Sequence, residues 1–179
     1  MQGLENQNRE RHMTGEEEIR TLIRVVTEPD LEARRSAEEA LAARGPAALP
    51  EIMAALSEAN ATTRWYLARA LARMGTGAAQ PAIDAIRESD DPEIRQYLTA
   101  ALAAMGEAVI PFLIPALSDD DVHVRGAAAL ALCRIGDSAI PALKEATEGE
   151  DPFLRTCAEL VLFRMGEEGI HSLFPDETR

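Results

Sequence analysis

The sequence is poor in aromatic residues and in cysteine. Aromatic residues make up 4% of the 179 residues, against 46% for all hydrophobic residues, so the predicted core consists mainly of Ala, Leu and Ile, which suit close packing of helices. Cys133 and Cys157 are the only two cysteines. Because they lack CxxC spacing, the sequence predicts neither a disulfide framework nor a zinc site.

Positive charge, long apolar runs and targeting signals are also scarce. The formal net charge of −13 disfavours general binding to nucleic acid or anionic membranes. No apolar run approaches the ~20 residues of a membrane span, and no signal-peptide pattern opens the chain. The expected location is therefore the reducing cytoplasm, without membrane association.

Residue patterns that carry catalysis are missing as well. None of His12, His123 and His171 has a second ligand at metal spacing. The chain contains no phosphate-binding glycine loop and no Gly-x-Ser-x-Gly motif. The sequence therefore predicts no metal, no other cofactor and no enzymatic activity.

What the sequence does contain is a unit of about 30 residues that recurs five times in phase, exemplified by HVRGAAALALCRIGDSAIPALKEATEGED at 123–151. In each unit an arginine follows an Asp or Asn by four residues and precedes a glycine by eleven. The five pairs are Asp30 and Arg34, Asn60 and Arg64, Asp91 and Arg95, Asp121 and Arg125, and Asp151 and Arg155. A proline follows four of the glycines, and His171 occupies the fifth proline position.

Each unit is predicted to form two short helices. The Asp or Asn is a good N-cap for the arginine-bearing helix, and the glycine ends that helix in a left-handed conformation. Two such helices cannot bury both faces alone, so the units must stack into a solenoid. The predicted organisation is a polar flexible tail at 1–14 and one repeat domain at 15–179, which opens with a helix at about 16–28. Its units are 16–45, 46–75, 76–106, 107–136 and 137–166, with a partial cap at 167–174.

The pattern Asp-Pro-x-x-x-Arg-x-x-Ala-x-x-Ala-Leu-x-x-Met/Ile-Gly, followed by Ile-Pro-x-Leu, resembles HEAT repeats over residues 16–174. It is most similar to the short prokaryotic phycobilisome-lyase-type HEAT-like repeats. The resemblance implies an all-α, right-handed solenoid of about five two-helix repeats plus a short terminal helix, about eleven helices in all. It also implies that the arginine-bearing helix is the inner one, lining the concave side, and that the Asp/Asn and Arg positions tie neighbouring units together. Armadillo repeats fit less well, because a 30-residue unit has no room for a third helix, and HEAT-type iron hydroxylases differ by their His-Glu pairs.

Positions one, two, five, eight and nine after the repeated arginine are predicted to face a concave groove, while positions minus one, three, six, seven and ten form the buried stripe. In units two to five the groove positions contain no Asp or Glu, and they collect the only Trp, both Tyr residues and four arginines. The predicted partner-binding residues are Trp65, Tyr66, Arg69, Arg73, Tyr97, Leu130, Arg134, Leu160, Phe163 and Arg164. Alternatively, curvature buries some of them, with Trp65 and Phe163 as core plugs.

Trp, Tyr and Arg are enriched at binding hot spots. The predicted function is therefore a non-catalytic scaffold or adaptor that grips a partner protein or peptide of acidic and apolar character. A second hypothesis, which the family resemblance implies, is an accessory, maturation or lyase-like subunit that assists a cofactor-bearing client. A third is nucleic-acid binding, which the four arginines favour, but the net charge and the lack of a continuous basic stripe oppose it.

Overall fold

The computed structural model describes the backbone of residues 14–173 and the side chains of residues 14–166. This part of the chain forms ten α-helices, three short 3₁₀ segments and no strand. The helices are α1 (Gly15–Val25), α2 (Leu31–Arg44), α3 (Leu49–Glu58), α4 (Ala61–Met74), α5 (Thr76–Glu88), α6 (Pro92–Ala104), α7 (Ile110–Ala116), α8 (Val122–Ile135), α9 (Ile140–Glu148) and α10 (Pro152–Leu173). The 3₁₀ segments are Gly45–Ala48, Gly106–Val109 and Gly136–Ala139. The predicted tail lies outside the described residues except for Thr14, which caps α1.

The helices stack as a solenoid of five pairs, which confirms the predicted all-α architecture. The arginine-bearing helices α2, α4, α6, α8 and α10 contact one another in that order. The other series, α1, α3, α5, α7 and α9, forms a second contiguous layer. We call the first series the inner helices and the second the outer helices.

Most residues of the predicted buried stripe of the inner helices lie in the hydrophobic core, which they share with residues of the outer helices. The repeated leucines Leu41, Leu71, Leu102 and Leu132 are fully buried, whereas Leu162 in α10 is only half-buried. A unit at the end of a solenoid contacts a neighbour on one side only, so its stripe is less completely covered.

The Asp and Asn residues before the inner helices are N-caps, as predicted. The side chains of Asp30, Asn60, Asp91 and Asp121 each accept a hydrogen bond from a backbone N–H two or three residues further on. The carboxylate of Asp151 accepts one from the Phe153 N–H at 2.9 Å. Each of these bonds satisfies an amide that the first helical turn leaves without a partner.

The repeated glycines break the chain between inner and outer helices, but not in the predicted conformation. Gly45 and Gly75 have φ of 54° and 59° with ψ of −137°, which is the mirror image of extended backbone rather than the left-handed helical region. The mirror-image extended region is accessible almost only to glycine. The sequence predicted the positive φ correctly and the value of ψ wrongly.

The fifth glycine differs from the other four. Gly166 does not have a positive φ, and α10 continues through it to Leu173, so the separate cap predicted at 167–174 is wrong. The fifth unit has His171 where the others have proline. Proline would disfavour an uninterrupted helix, because it lacks an N–H and clashes with the preceding turn, and histidine removes that constraint.

One helical stretch in the described part of the chain, Val122–Glu148, is long and apolar enough to cross a membrane by length and composition, with a mean hydropathy of 1.2. The sequence-based expectation of no membrane-length apolar run is therefore too strict. The stretch contains α8, a 3₁₀ segment and α9, with a positive φ at Gly136 between the helices. A mostly buried core helix of a soluble protein passes the same test.

Candidate binding face on the inner helices

We call the predicted groove positions of α4, α6, α8 and α10 the inner face, and we use the term binding face for the same surface. Three large apolar residues are exposed there: Trp65 is 49% exposed, Leu160 62% and Phe163 63%. The alternative that Trp65 and Phe163 are core plugs is therefore wrong. The burial of Tyr66 overturns a different expectation, because its side chain is only 8% exposed and cannot form part of an open groove floor.

Tyr66 is buried because it joins two neighbouring inner helices. Its hydroxyl accepts a hydrogen bond of 2.6 Å from Nη1 of Arg34 in α2, and the Arg34 guanidinium lies 5.0 Å from the ring centroid. The ring also packs edge-on against Trp65, with centroids 4.9 Å apart. The buried ring of Tyr66 thus packs against the exposed indole of Trp65.

The two predicted arginines of α4 are neutralised within the fold. Nη2 of Arg69 lies 3.2 Å, and Nε of Arg73 3.6 Å, from Oε2 of Glu38 in α2. The Glu38 side chain is fully buried, and among the described residues neither of its carboxylate oxygens has a well-directed hydrogen bond. Arg69 also stacks over Trp65, with its guanidinium carbon 4.5 Å from the ring centroid. We refer to Trp65, Arg69 and Arg73, together with the buried side chains of Glu38 and Tyr66 that contact them, as the N-terminal half of the binding face.

Sequence reasoning missed Glu38. It occupies the fourth position after the repeated arginine, which belongs to neither the buried stripe nor the groove set. The residues at that position in the next three units are Ala68, Thr99 and Ala129, and two of them are buried. The fifth unit also has a glutamate at this position, Glu159, but that residue is exposed, so residue type alone does not distinguish the buried contact of Glu38.

Tyr97, in the middle of the face, is half-buried. Its hydroxyl donates a hydrogen bond of 3.1 Å to the carbonyl oxygen of Ala61, at the start of α4. This predicted binding residue therefore also joins α6 to α4.

The C-terminal half of the binding face is formed by Leu130, Arg134, Leu160, Phe163 and Arg164. Leu130 is half-buried and the other four are exposed. Neither Arg134 nor Arg164 forms an ion pair with a described side chain. One groove of about 410 Å³ lies between α6 and α8, and a second of about 280 Å³ lies between α8 and α10. Their described linings contain no Asp or Glu, so this half is apolar and basic in a chain of net charge −13.

The repeated arginines have a more local role than the resemblance implied. Each guanidinium donates to a backbone carbonyl in the last turn of the preceding outer helix or just beyond it, as Arg64 does to Leu56 at 3.0 Å and Arg95 to Ser89 at 2.5 Å. The corresponding acceptors are Glu28 for Arg34, Asp119 for Arg125 and Gly149 for Arg155. A positive charge is favourable at these otherwise unpaired carbonyls.

Among the described residues, three of the five arginines also contact the next unit. Arg34 contacts Tyr66, and Arg125 lies 5.5 Å from the ring centroid of Phe153. Arg64 pairs with Asp91 and Glu93 at 2.9 and 2.5 Å. The predicted tie between Arg and the next Asp therefore occurs at one junction of the described chain.

No group of three His, Cys, Asp or Glu side chains within the described residues is arranged to hold a metal ion. Cys133 and Cys157 are both half-buried and form no disulfide. The described inner face presents exposed apolar side chains beside guanidinium groups.

Comparison with protein families identifies the repeat. Residues 79–162 match the family described as HEAT repeats, and residues 63–90 match the PBS lyase HEAT-like repeat. The predicted resemblance to HEAT repeats, and to the PBS lyase HEAT-like form, is therefore confirmed over residues 63–162. No curated protein sequence matched the chain.

Several solved structures are similar to this chain at low sequence identity and low TM-score. A chain from the complex of CpcE and CpcF of phycocyanin lyase from Nostoc sp. PCC7120 is 23% identical, with a TM-score of 0.39, over 80% of this chain and 97% of that one. An engineered protein is 19% identical, with a TM-score of 0.33, over 90% of each chain. A designed armadillo repeat protein is 17% identical, with a TM-score of 0.31, over 86% of this chain and 88% of that one.

Proposed function

We propose that this HEAT-repeat chain is a non-catalytic, cytoplasmic scaffold or adaptor that grips an acidic and apolar segment of a partner protein on its inner face. The observation that carries the proposal is the exposure of Trp65, Leu160 and Phe163 on the inner helices. Large apolar side chains grouped on one exposed face mark interaction sites more often than scattered ones do, and aromatic residues supply much of the binding energy at interfaces.

Local charge supports an acidic partner in spite of the negative net charge of the chain. The Debye length is about 8 Å at physiological ionic strength, so a carboxylate close to the face responds mainly to the nearest guanidinium groups. The groove positions of units two to five contain arginine but no Asp or Glu. Complementary charge of this kind sets orientation and association rate more than affinity.

The proposal is tested by affinity capture from the native cell, followed by binding measurements on the captured partner. Trp65→Ala and Phe163→Ala remove exposed side chains of the inner face, and Glu88→Ala removes an exposed side chain of outer helix α5 as the matched control. Truncation of a true hot-spot side chain should weaken binding by about 30-fold or more, while the control variant should bind like wild type. If both inner-face variants also bind like wild type, the inner face is not the site.

A second candidate function is an accessory role that assists a cofactor-bearing client protein. The match of residues 63–90 to the PBS lyase HEAT-like repeat is the observation that favours it. The absorption spectrum of the captured complex distinguishes the two functions. A stoichiometric chromophore on the partner supports the accessory role, whereas a partner without any cofactor supports the scaffold.

A further inference from the structure

We propose that the partner segment binds to the C-terminal half of the binding face, across α8, and seats one large apolar side chain over Gly126. This inference rests on the proposed function and narrows its site to one end of the inner face. It assigns Gly126 as a residue that determines specificity, and it assigns Arg134 and Arg164 as the groups that recognise partner carboxylates.

Gly126 is not explained by the fold of the chain. It lies inside α8 without a positive φ, and a Cβ at this position would meet no atom within 4 Å outside its two chain neighbours and the backbone of α8. Neither backbone conformation nor internal packing therefore requires glycine here. Glycine inside a helix is destabilising relative to alanine, so its presence leaves an open space at the expense of helix stability.

That open space lies where two grooves meet. Gly126 and Val122 line both the groove of about 410 Å³ between α6 and α8 and the groove of about 280 Å³ between α8 and α10. Because Gly126 has no side chain, nothing at this position separates the two grooves. A partner can therefore bring its backbone close to α8 and place a large apolar side chain in the depression.

The charges around the depression indicate the character of the partner. Arg134 lines the first groove and Arg164 lines the second, and both side chains are exposed. Neither pairs with a described carboxylate, whereas Arg69 and Arg73 in the N-terminal half already share Glu38. Of the four predicted groove arginines, only Arg134 and Arg164 can pair with an acidic partner without giving up an ion pair to a described side chain, because Arg69 and Arg73 would have to release Glu38. The occupant is therefore a segment of another protein with a large apolar residue flanked by Asp or Glu.

The test begins with a display library of random peptides, selected on the full chain. We expect enrichment of sequences that place Leu, Phe, Trp or Met between acidic residues. A selected peptide is then synthesised with a fluorescent label, and its affinity is measured by fluorescence anisotropy. Enrichment of basic sequences, or no enrichment at all, would overturn both the inference and the proposed function.

Variants then locate the site. Gly126→Leu, and Arg134→Gln combined with Arg164→Gln, should each weaken the selected peptide by about tenfold or more. The double arginine variant should also show a weaker salt dependence. The matched control is Arg35→Gln, because Arg35 is an exposed arginine on inner helix α2. Its affinity should stay within about twofold of wild type.

Gly126→Ala separates loss of binding from loss of fold. Alanine stabilises a helix interior relative to glycine, so this variant should melt at a higher temperature than wild type and still bind the peptide more weakly. If Gly126→Leu binds like wild type while Trp65→Ala does not, the proposed function stands and the inference fails. If the wild-type chain is a dimer in sedimentation and Gly126→Leu is a monomer, the occupant is a second copy, and the inference is overturned.

Discussion

The two halves of the binding face have similar residue types but differ in how far those side chains are buried and paired within the fold. In the N-terminal half, Arg69 and Arg73 are held by the buried carboxylate of Glu38, and Tyr66 is buried against Arg34. In the C-terminal half, Leu160 and Phe163 are more than 60% exposed. Arg134 and Arg164 form no ion pair with a described side chain there.

The difference shows that hot-spot composition alone does not identify a binding site. A fully buried carboxylate such as Glu38 must be compensated by nearby positive charge, so arginines beside it serve the fold first. Arginines without an internal partner keep their capacity to recognise another molecule. Exposure and pairing, rather than residue type, therefore distinguish the half that stabilises the array from the half that is available for binding.

Removing the arginines of each half should give the largest contrast. Arg69→Ala combined with Arg73→Ala leaves Glu38 buried without a counter-charge, and we expect the free energy of unfolding to fall by about 3–5 kcal/mol. Arg134→Ala combined with Arg164→Ala removes exposed groups that form no ion pair with a described side chain, and should change the free energy of unfolding by no more than about 0.5 kcal/mol. Urea unfolding followed by circular dichroism measures both values.

A compensating change checks the cause. Adding Glu38→Met to the Arg69 and Arg73 double variant removes the buried charge and should recover most of the lost stability, because an apolar residue of similar size can replace a buried ion pair. If the triple variant remains as unstable as the double variant, the arginines stabilise the fold by some other contact. Equal losses at the two halves would contradict the comparison itself.

The two ends of the array also differ at their repeated glycines. Gly45 has a φ of 54°, so Gly45→Ala should cost about 1–3 kcal/mol through backbone strain. Gly166 lies within the continuous helix α10, and a Cβ there would meet nothing within 4 Å. Gly166→Ala should therefore stabilise the protein by about 1 kcal/mol. Thermal unfolding of the two variants should shift in opposite directions, and a loss at Gly166 as large as that at Gly45 would mean that α10 breaks after all.

Substitution of an aromatic residue in each half should give a smaller difference in the free energy of unfolding. Tyr66→Phe keeps the ring but removes the hydroxyl that accepts the Arg34 hydrogen bond, and we expect a loss of about 1 kcal/mol. Phe163→Leu changes an exposed side chain and should lie within about 0.5 kcal/mol of wild type. Chemical unfolding of both variants makes the comparison, and a larger loss at Phe163 would show that it is packed rather than open.

Much of the fold could be predicted from the sequence, because the same spacing of capping, buried and exposed residues recurs in five units. The caps at Asp30 and Asp121 and the buried leucines Leu71 and Leu102 follow from local helix chemistry and period. Each unit repeats the same pattern, so an error of phase in one unit would conflict with the other four. The inner-face positions were identified by the same phase, and it placed Trp65 and Phe163 on the surface correctly.

The pairing of side chains between units could not be predicted in the same way. Whether Arg69 is available to a partner depends on Glu38, which is 31 residues away in the sequence and lies at a position outside both predicted stripes. The burial of Tyr66 depends similarly on Arg34 in the preceding helix. These contacts are set by how adjacent inner helices pack, and a helical wheel for one helix contains no information about its neighbour.

The smallest expected difference between the two halves is in the pH dependence of stability that the N-cap residues of their inner helices contribute. Asp121 caps α8 and Asn60 caps α4 by accepting backbone hydrogen bonds of 3.0 Å from Val124 and 2.9 Å from Thr63. The bond from the Val124 N–H, helped by that from His123, holds the pKa of Asp121 below its ordinary value. Asn60 caps a helix in the same way but carries no titratable group.

A carboxyl group with a lowered pKa in the folded state adds stability above its unfolded pKa, about 3.9 for Asp, and this contribution is lost as the pH falls through the folded value. We therefore expect Asp121→Asn to melt at a slightly lower temperature than wild type above about pH 5, with the difference shrinking as the pH is lowered through 3.9 and below. The reciprocal change Asn60→Asp should introduce such a pH-dependent contribution at α4. Melting temperatures measured from about pH 7 down to about pH 3 test both variants, with wild type as the reference in each buffer. A difference between Asp121→Asn and wild type that stays constant across this range would mean that the ionised carboxylate contributes nothing beyond the cap geometry that asparagine already provides.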